Sequence, residues 1–365
     1  MKCGIRISGL AIVLFVSVCV AQDARPHIAI RGIYGGVPAE LLKEKSLADA
    51  GINAVWMGSG SATAERIALL KKQNARVFLE FNTMHVAGYL KEHPDAAPIG
   101  SDGKVSPPPQ GWQGICPTHP GYRQYRMSEF RNVLAKHEID GIWLDYHHSH
   151  ASWERAEPEM PDTCFCRRCL ERFSRDTKMQ LPDAPVAEVA RRLLSQHKDQ
   201  WVQWRCDVFT DWVREFRSII DETRPQALLG TFHCPWSEDD RDGALKAKLA
   251  IDLKAQAEYI DVFSIMPYHA RFGRADDPEW ISRQTRWLAK HLGITGKPGE
   301  RHQIWPIVQL SDWGEAVPAE QVRTVLDHGT RSPATGVMVF HWGSLREQWP
   351  KVEAMTGYYR SIMPK

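Results

Sequence analysis

Short runs of β-branched and aromatic residues alternate along this chain with longer stretches in which apolar positions recur every three or four residues. The short runs cover 28–35, 54–58, 76–82, 141–147, 228–234, 262–268, 303–310 and 336–341. Each is almost continuously apolar through its middle, the pattern of a parallel strand covered on both faces. The stretches between them, such as 38–50, 62–74, 121–137, 277–291 and 318–330, read as amphipathic helices. Strand followed by helix eight times predicts right-handed crossovers and an α/β fold of the (βα)₈ TIM-barrel type. An open doubly wound sheet would carry a Gly-rich phosphate loop after its first strand. Gly32-Ile33-Tyr34-Gly35-Gly36 is not followed by that pattern.

Two stretches break the rhythm. Residues 83–120, after the third strand, are rich in Gly and Pro; residues 149–175, after the fourth, lead into a long helical region ending near 223. Both leave the carboxyl ends of strands, where barrels build their sites. No repeat, low-complexity tract or Ser/Gly linker divides the chain, so 22–365 is expected to be a single catalytic barrel domain.

The amino terminus has a different character. Lys2 and Arg6 precede an apolar run from 7 to 20, and Cys19-Val20-Ala21 offers small residues for cleavage. The run is too short for a membrane span, so 1–21 read as a signal peptide and the mature chain as secreted or periplasmic, with no membrane association after cleavage. A retained amino-terminal anchor is the alternative. Lys and Arg number 46 against 44 Asp and Glu, without a basic block, which gives a nucleic-acid partner no electrostatic support. Fourteen tryptophans are many for this length; they serve burial, and they also stack on sugars.

Beyond the leader the cysteines are Cys116, Cys164, Cys166, Cys169, Cys206 and Cys234. Three thiols within 164–169 crowd one another too closely for separate disulfides but suit a tetrahedral Zn²⁺ with one distant ligand. Arg167, Arg168 and Arg172 would offset the charge of four thiolates. Disulfide pairing in an oxidising compartment is the competing reading. Cys206 and Cys234 read as small buried residues.

The segment Ile115-Cys116-Pro117-Thr118-His119-Pro120-Gly121-Tyr122-Arg123, followed by Cys164-x-Cys166-x-x-Cys169 and Phe173, resembles the zinc-binding segment of glycoside hydrolase family 42 β-galactosidases. The strand Asp140-Gly141-Ile142-Trp143-Leu144-Asp145 is similar to that of uncharacterised glycosyl hydrolases with the same cysteines, and to α-L-fucosidases, whose strand-four Asp is the nucleophile. The resemblance covers about 112–175. It implies a (βα)₈ hydrolase with a structural zinc on Cys116, Cys164, Cys166 and Cys169, four protein ligands leaving no open position for water. Family 42 carries an Asn-Glu pair at the end of strand four, where this chain has Leu144-Asp145-Tyr146-His147, so that family's acid does not carry over.

Glycosidic cleavage uses two carboxyl groups across the scissile bond. Asp145 ends an apolar strand, where a charge is costly without a purpose, and is the first candidate. Glu238, after strand five, and Asp312, after strand seven, complete a distribution seen in α-amylase-like barrels; their bland readings are a solvated loop acid and a helix cap. Tyr34, Trp56, Glu80, Asn82, His147, His233, Trp236, Tyr268, His269, His341 and Trp342 recur at strand ends and are expected to bind substrate. Singly, each of these histidines has a structural reading, as does Glu80. Imidazole, amide, phenol and indole groups suit a neutral polyhydroxylated ligand, an oligosaccharide or polysaccharide. A catalytic metal is disfavoured, because adjacent histidines such as His147 and His148 point to opposite faces of a strand. The sequence thus supports a retaining glycosidase with Asp145 as nucleophile and a Glu from a neighbouring loop as acid and base. A barrel that binds carbohydrate without cleaving it is the alternative.

Overall fold

The computed structural model describes residues 28–364, so the expected leader at 1–21 lies outside the described residues. Nine parallel strands form one curled, barrel-like sheet: β1 (Ile30–Tyr34), β2 (Ala54–Gly58), β3 (Arg76–Asn82), β4 (Gly141–Asp145), β5 (Leu228–His233), β6 (Val262–Ile265), β7 (Gln303–Ile304), β8 (Ile307–Gln309) and β9 (Gly336–Phe340). Their order is β7-β6-β5-β4-β3-β2-β1-β9-β8. The expected strand at 303–310 is two strands. Pro306 has no N–H to donate, so the ladder breaks there. β7 pairs with β6 and β8 pairs with β9, which makes the two ends of the sheet consecutive in the chain. Across the break the Trp305 N–H donates to the Phe263 carbonyl, and the Pro306 carbonyl accepts from the Met338 N–H.

The other expected strands and helices are present with shifted ends. The helices are α1 (Ala39–Glu44), α2 (Ala64–Lys72), α3 (Pro120–Lys136), α4 (Arg167–Thr177), α5 (Val186–Gln196), α6 (Lys198–Thr223), α7 (Ala244–Ala247), α8 (Leu253–Gln256), α9 (Glu279–Leu292), α10 (Val322–Gly329), α11 (Trp342–Leu345) and α12 (Trp349–Ser361). The expected helix at 38–50 is the single short α1, and residues 47–51 form turns. Among the described residues no helix is long and apolar enough to cross a membrane.

Tryptophans fill the inside of the sheet. Trp56, Phe78, Trp143 and Trp305 pack as one layer: Trp56 stacks on Phe78 at 4.4 Å, and Trp143 on Trp305 at 5.6 Å. Their neighbours are glycines by necessity. A Cβ on Gly230 would lie 2.1 Å from the Trp143 ring, one on Gly32 2.3 Å from Trp56, and one on Gly336 2.7 Å from Trp305. The Trp143 indole N–H donates to Ser264 Oγ at 3.0 Å, which satisfies its polar edge. Outside the sheet, the Tyr359 hydroxyl of α12 donates to the Gly32 carbonyl at 2.8 Å and fixes that helix over β1. This layer closes the amino-terminal side of the interior and forms the floor under whatever the carboxyl ends of the strands enclose.

Candidate functional site

Side chains alternate along a strand, so the inward residues two positions beyond the tryptophan layer stand just above it. They are Tyr34 on β1, Glu80 on β3 and Asp145 on β4, with Phe232 of β5 and Phe340 of β9. Together with Trp112, Tyr146, Glu154, Met266, Tyr268, Ile307, Trp313 and His341, most of these enclose a cavity of about 260 Å³ at the carboxyl ends of the strands. The walls are aromatic. Tyr34 stacks on Phe340 at 5.5 Å and meets Phe232 edge-on at 5.9 Å. Tyr268 lies 5.0 Å from Phe340, and Trp112 stacks on Tyr146 at 5.1 Å.

Two carboxyl groups line this space, and a third adjoins it. Asp145 projects from the last residue of β4, and one of its oxygens accepts the Tyr146 N–H at 2.8 Å. Glu154 comes from the loop after β4. Glu80 lies beneath Tyr34, whose hydroxyl donates to its Oε2 at 2.5 Å. None of the three has an ion-pair partner among the described residues. Burial pushes the Asp145 carboxyl well above its usual range, and the charges of Glu80 and Glu154 push it further. Glu154 is raised to about 7 by burial; Arg271 opposes that rise and Glu80 adds to it. Burial likewise raises Glu80, against the stabilising bond from Tyr34. Such a set shares its protons, and its members lose them in order rather than independently.

Of the residues expected at the site, Asp145, Tyr34, Tyr268 and His341 line the cavity, with Glu80 adjoining it. Glu238 is drawn into an ion pair with Lys246 at 2.9 Å and lies near His291, outside the cavity. Asp312 caps the Val317 N–H and pairs with the buried Lys351 at 2.7 Å. Trp56 belongs to the floor, fully buried in the tryptophan layer rather than facing a ligand. Asn82 turns its side-chain oxygen to the His85 N–H and its carbonyl to Arg126. His147 lies behind β4 on the Phe209 carbonyl, and burial lowers it to about 4. His233 is equally buried and lowered to about 4, with Nδ1 on the Cys234 carbonyl. His269 bonds Gln321, Trp236 is buried beneath Arg241, and the Trp342 indole donates to Glu40. These six lie outside the cavity lining.

Glu154, Trp112, Trp313, Phe232 and Phe340 are cavity residues that the sequence reading did not assign. The signal available for Glu154 is an acid between Trp153 and Arg155 in a loop that leaves a strand's carboxyl end. Trp112 and Trp313 also sit in such loops.

A second cluster lies beside the cavity. The sulfurs of Cys116, Cys164, Cys166 and Cys169 all fall within 4.8 Å of one another and are buried. Cys116 Sγ is 3.5 Å from Cys166 Sγ and 3.7 Å from Cys169 Sγ. Tetrahedral ligands on metal–sulfur bonds of ~2.3 Å stand about 3.8 Å apart, so the spacing fits a bound ion and exceeds a disulfide bond. All four are free thiols. The Ile99 N–H donates to Cys164 Sγ at 3.3 Å, and Thr118 Oγ1 lies 3.1 Å from Cys169 Sγ. Of the three arginines expected to balance the thiolates, Arg168 faces them, whereas Arg167 and Arg172 pair with Glu171 and with Asp176 and Asp211. Four buried cysteines at this spacing could hold a metal ion. Cys116 follows Trp112 on one long loop and Cys164 follows Glu154 on the other, so an ion there would tie together the two loops that wall the cavity.

No protein-family model matches the chain, and no curated protein matches it by sequence. Solved structures match by shape. The glycoside hydrolase domain of PgaB (BpsB) from Bordetella bronchiseptica superposes with a TM-score of 0.69 at 13% identity, covering 90% of this chain and 98% of that one. A β-galactosidase from the psychrophilic Marinomonas ef1 gives 0.64 at 13% identity, over 91% and 59% of the two chains. α-L-Fucosidase isoenzyme 2 from Paenibacillus thiaminolyticus gives 0.54 at 12%, over 91% and 49%. The chain thus spans less than two thirds of that β-galactosidase and about half of that fucosidase. At such identities the likeness is one of fold, and the fold is glycoside-hydrolase-like.

Proposed function

We propose that this protein is a glycoside hydrolase that holds one sugar ring of an oligosaccharide or polysaccharide in the cavity above the tryptophan layer, with Asp145 as nucleophile and Glu154 as acid and base. The observation that carries this reading is the pair itself: carboxyl groups from β4 and from the loop after it face one aromatic-walled cavity, close enough for each charge to oppose the other. The cavity is smaller than the ~300–1,000 Å³ of sites for drug-sized ligands, which suits a single ring with the rest of the chain outside.

In the first step the Glu154 proton passes to the glycosidic oxygen as the Asp145 carboxylate attacks the anomeric carbon and the leaving group departs. In the second, Glu154, now a carboxylate, takes a proton from water as that water displaces Asp145, so the anomeric configuration is retained. Tyr34, Tyr268 and Trp313 supply faces for the apolar side of the ring, and the closed floor keeps bulk water from the intermediate. The four cysteines would hold Zn²⁺ as a structural ion, with no position left for water. β7 and β8 count as one barrel position interrupted at Pro306, which makes the architecture a (βα)₈ barrel. Residues 1–21 are a signal peptide on this reading, and the enzyme works outside the cytoplasm.

The test is a screen of aryl glycosides and natural oligosaccharides with wild type and Asp145→Asn. Turnover in wild type and its loss in the variant is the expected result. Undiminished turnover in Asp145→Asn would remove Asp145 from the mechanism, and binding without turnover at any pH would leave a carbohydrate-binding barrel.

A further inference from the structure

The wall of the cavity is backed by a cation without a counter-ion. Arg271 stands in the loop after β6 and is partly buried. Its guanidinium lies 4.4 Å from the centre of the Trp313 ring, and its Nε donates to the Glu154 carbonyl at 2.7 Å. Trp313 and Glu154 both line the cavity. The backbone of Arg271 is held as well. The buried Gln309 side chain, at the end of β8, accepts the Arg271 N–H at 2.9 Å. Its Nε2 donates to the Ser311 and Trp313 carbonyls at 2.8 and 2.7 Å. One amide therefore joins the loop after β6 to the loop after β8, and Arg271 to Trp313.

This arrangement leaves one edge of the guanidinium. Its face is on the indole and its Nε is on a carbonyl, whereas neither Nη has a hydrogen-bond or ion-pair partner among the described residues. The acids of the neighbouring loops are engaged elsewhere: Asp312 pairs with Lys351, Asp277 with Arg283 and Asp162 with Lys248, and Glu315 accepts the Ala275 N–H. Arg155, next to Glu154 in the chain, makes no ion pair among the described residues either, and its Nε is buried without a partner. Burial lowers the Arg271 guanidinium and the charge of Arg155 lowers it further, against the pull of Glu154. A guanidinium fixed on an aromatic face, with its Nη edge unpaired, is preorganised for the two oxygens of an oxyanion.

The position of Arg271 decides which part of a substrate it meets. Glu154 gives its proton to the glycosidic oxygen, so groups bonded to Glu154 and outside the cavity lining adjoin the sugar that leaves. The carboxyl groups of Asp145, Glu154 and Glu80 oppose an anion within the cavity itself. Resting on the hydrolase reading above, we propose that the Nη edge of Arg271, held by Trp313 and Gln309 and supported by Arg155, binds an acidic group on the leaving sugar unit. The substrate is then an acidic oligosaccharide or polysaccharide whose anion is a uronic-acid carboxylate or a sulfate ester, next to a neutral ring in the cavity.

The test is isothermal titration calorimetry of wild type, Arg271→Gln and Arg271→Lys, which needs no turnover. The probes are hexuronic-acid oligosaccharides of several linkages with their methyl esters, and sulfated oligosaccharides with their desulfated counterparts. Wild type is expected to bind an acidic probe about tenfold or more tighter than its neutral counterpart, through one charge-assisted bidentate contact, and added salt should shrink that ratio. Arg271→Gln should abolish the ratio, and Arg271→Lys, a point charge without the fork, should keep part of it. A ratio seen with uronates or with sulfate esters supports the site and names the source of the anion. Equal affinity of wild type for acidic and neutral probes, or binding of neutral probes alone, overturns the proposal, and that comparison needs no variant. A variant that weakens both kinds of probe equally also overturns it, since Arg271 would then be only a brace for the Glu154 loop. The hydrolase reading fails separately, if acidic probes bind with this preference and none is cleaved at any pH.

Discussion

On the hydrolase reading Glu154 carries two roles, and its protonation connects them. Burial raises its carboxyl to about 7, so it still holds a proton where an ordinary Glu has lost one. As an acid it must be protonated, so kcat/KM is expected to fall as pH rises above about 7. Glu154→Gln should lower kcat by about 10²–10⁴ on natural glycosides. Activated aryl glycosides, which leave without help, should lose far less in the first step; equal losses on both would take Glu154 out of the acid role. The same shift makes stability depend on pH. The folded state holds this proton up to about 7, whereas an unfolded Glu releases it near ~4.3, so the folded chain binds more protons between those values. This contribution is fully present below about 4.3 and is lost as pH rises through 7. The Tm of wild type relative to Glu154→Gln should therefore decline over that window, and parallel curves would contradict it. Asp145 was legible in the sequence because a charge directly after Ile142-Trp143-Leu144 is conspicuous. Glu154 was not, because its place depends on how the long loop 146–166 folds back. The partners that occupy Glu238 and Asp312 were equally hidden: Lys351 lies 39 residues beyond Asp312.

At the scale of the elements, strand positions were legible because parallel strands buried on both faces are marked by continuous apolar runs. Their inner layers were not, because period-2 alternation tells sides apart without telling depth. Trp56 was therefore expected to meet substrate, although it sits one layer too low; the glycines opposite the tryptophans are the trace of that packing. Gly230→Ala drives a methyl group against the Trp143 ring and should destabilise the fold by about 1–3 kcal/mol, and Trp143→Ala by about 3–5 kcal/mol. Denaturant midpoints check both. A neutral Gly230→Ala would mean that the layer yields more easily than close packing allows. The break at Pro306 was visible as a residue, but its consequence was not, since a proline in a strand is tolerated at an edge.

At the scale of the molecule, the cysteine cluster joins the two long loops that supply Trp112 and Glu154 to the cavity. If the cluster holds an ion, as proposed, removing it should loosen the walls before the sheet unfolds. Cys166→Ser, or chelation of wild type, is expected to lower bound metal and raise KM with the sheet intact by circular dichroism. A metal-free wild type with the four cysteines in disulfides would refute the site. The cysteine spacing made this cluster legible, whereas its position against the cavity required the folded loops. The account as a whole rests on Asp145 and Glu154 acting across one glycosidic bond. Proton NMR of the sugar first released, for wild type and for Asp145→Asn, tests that directly. Wild type should release the anomer of the bond it cleaves and the variant almost none; an inverted anomer, or undiminished release by the variant, would contradict the account.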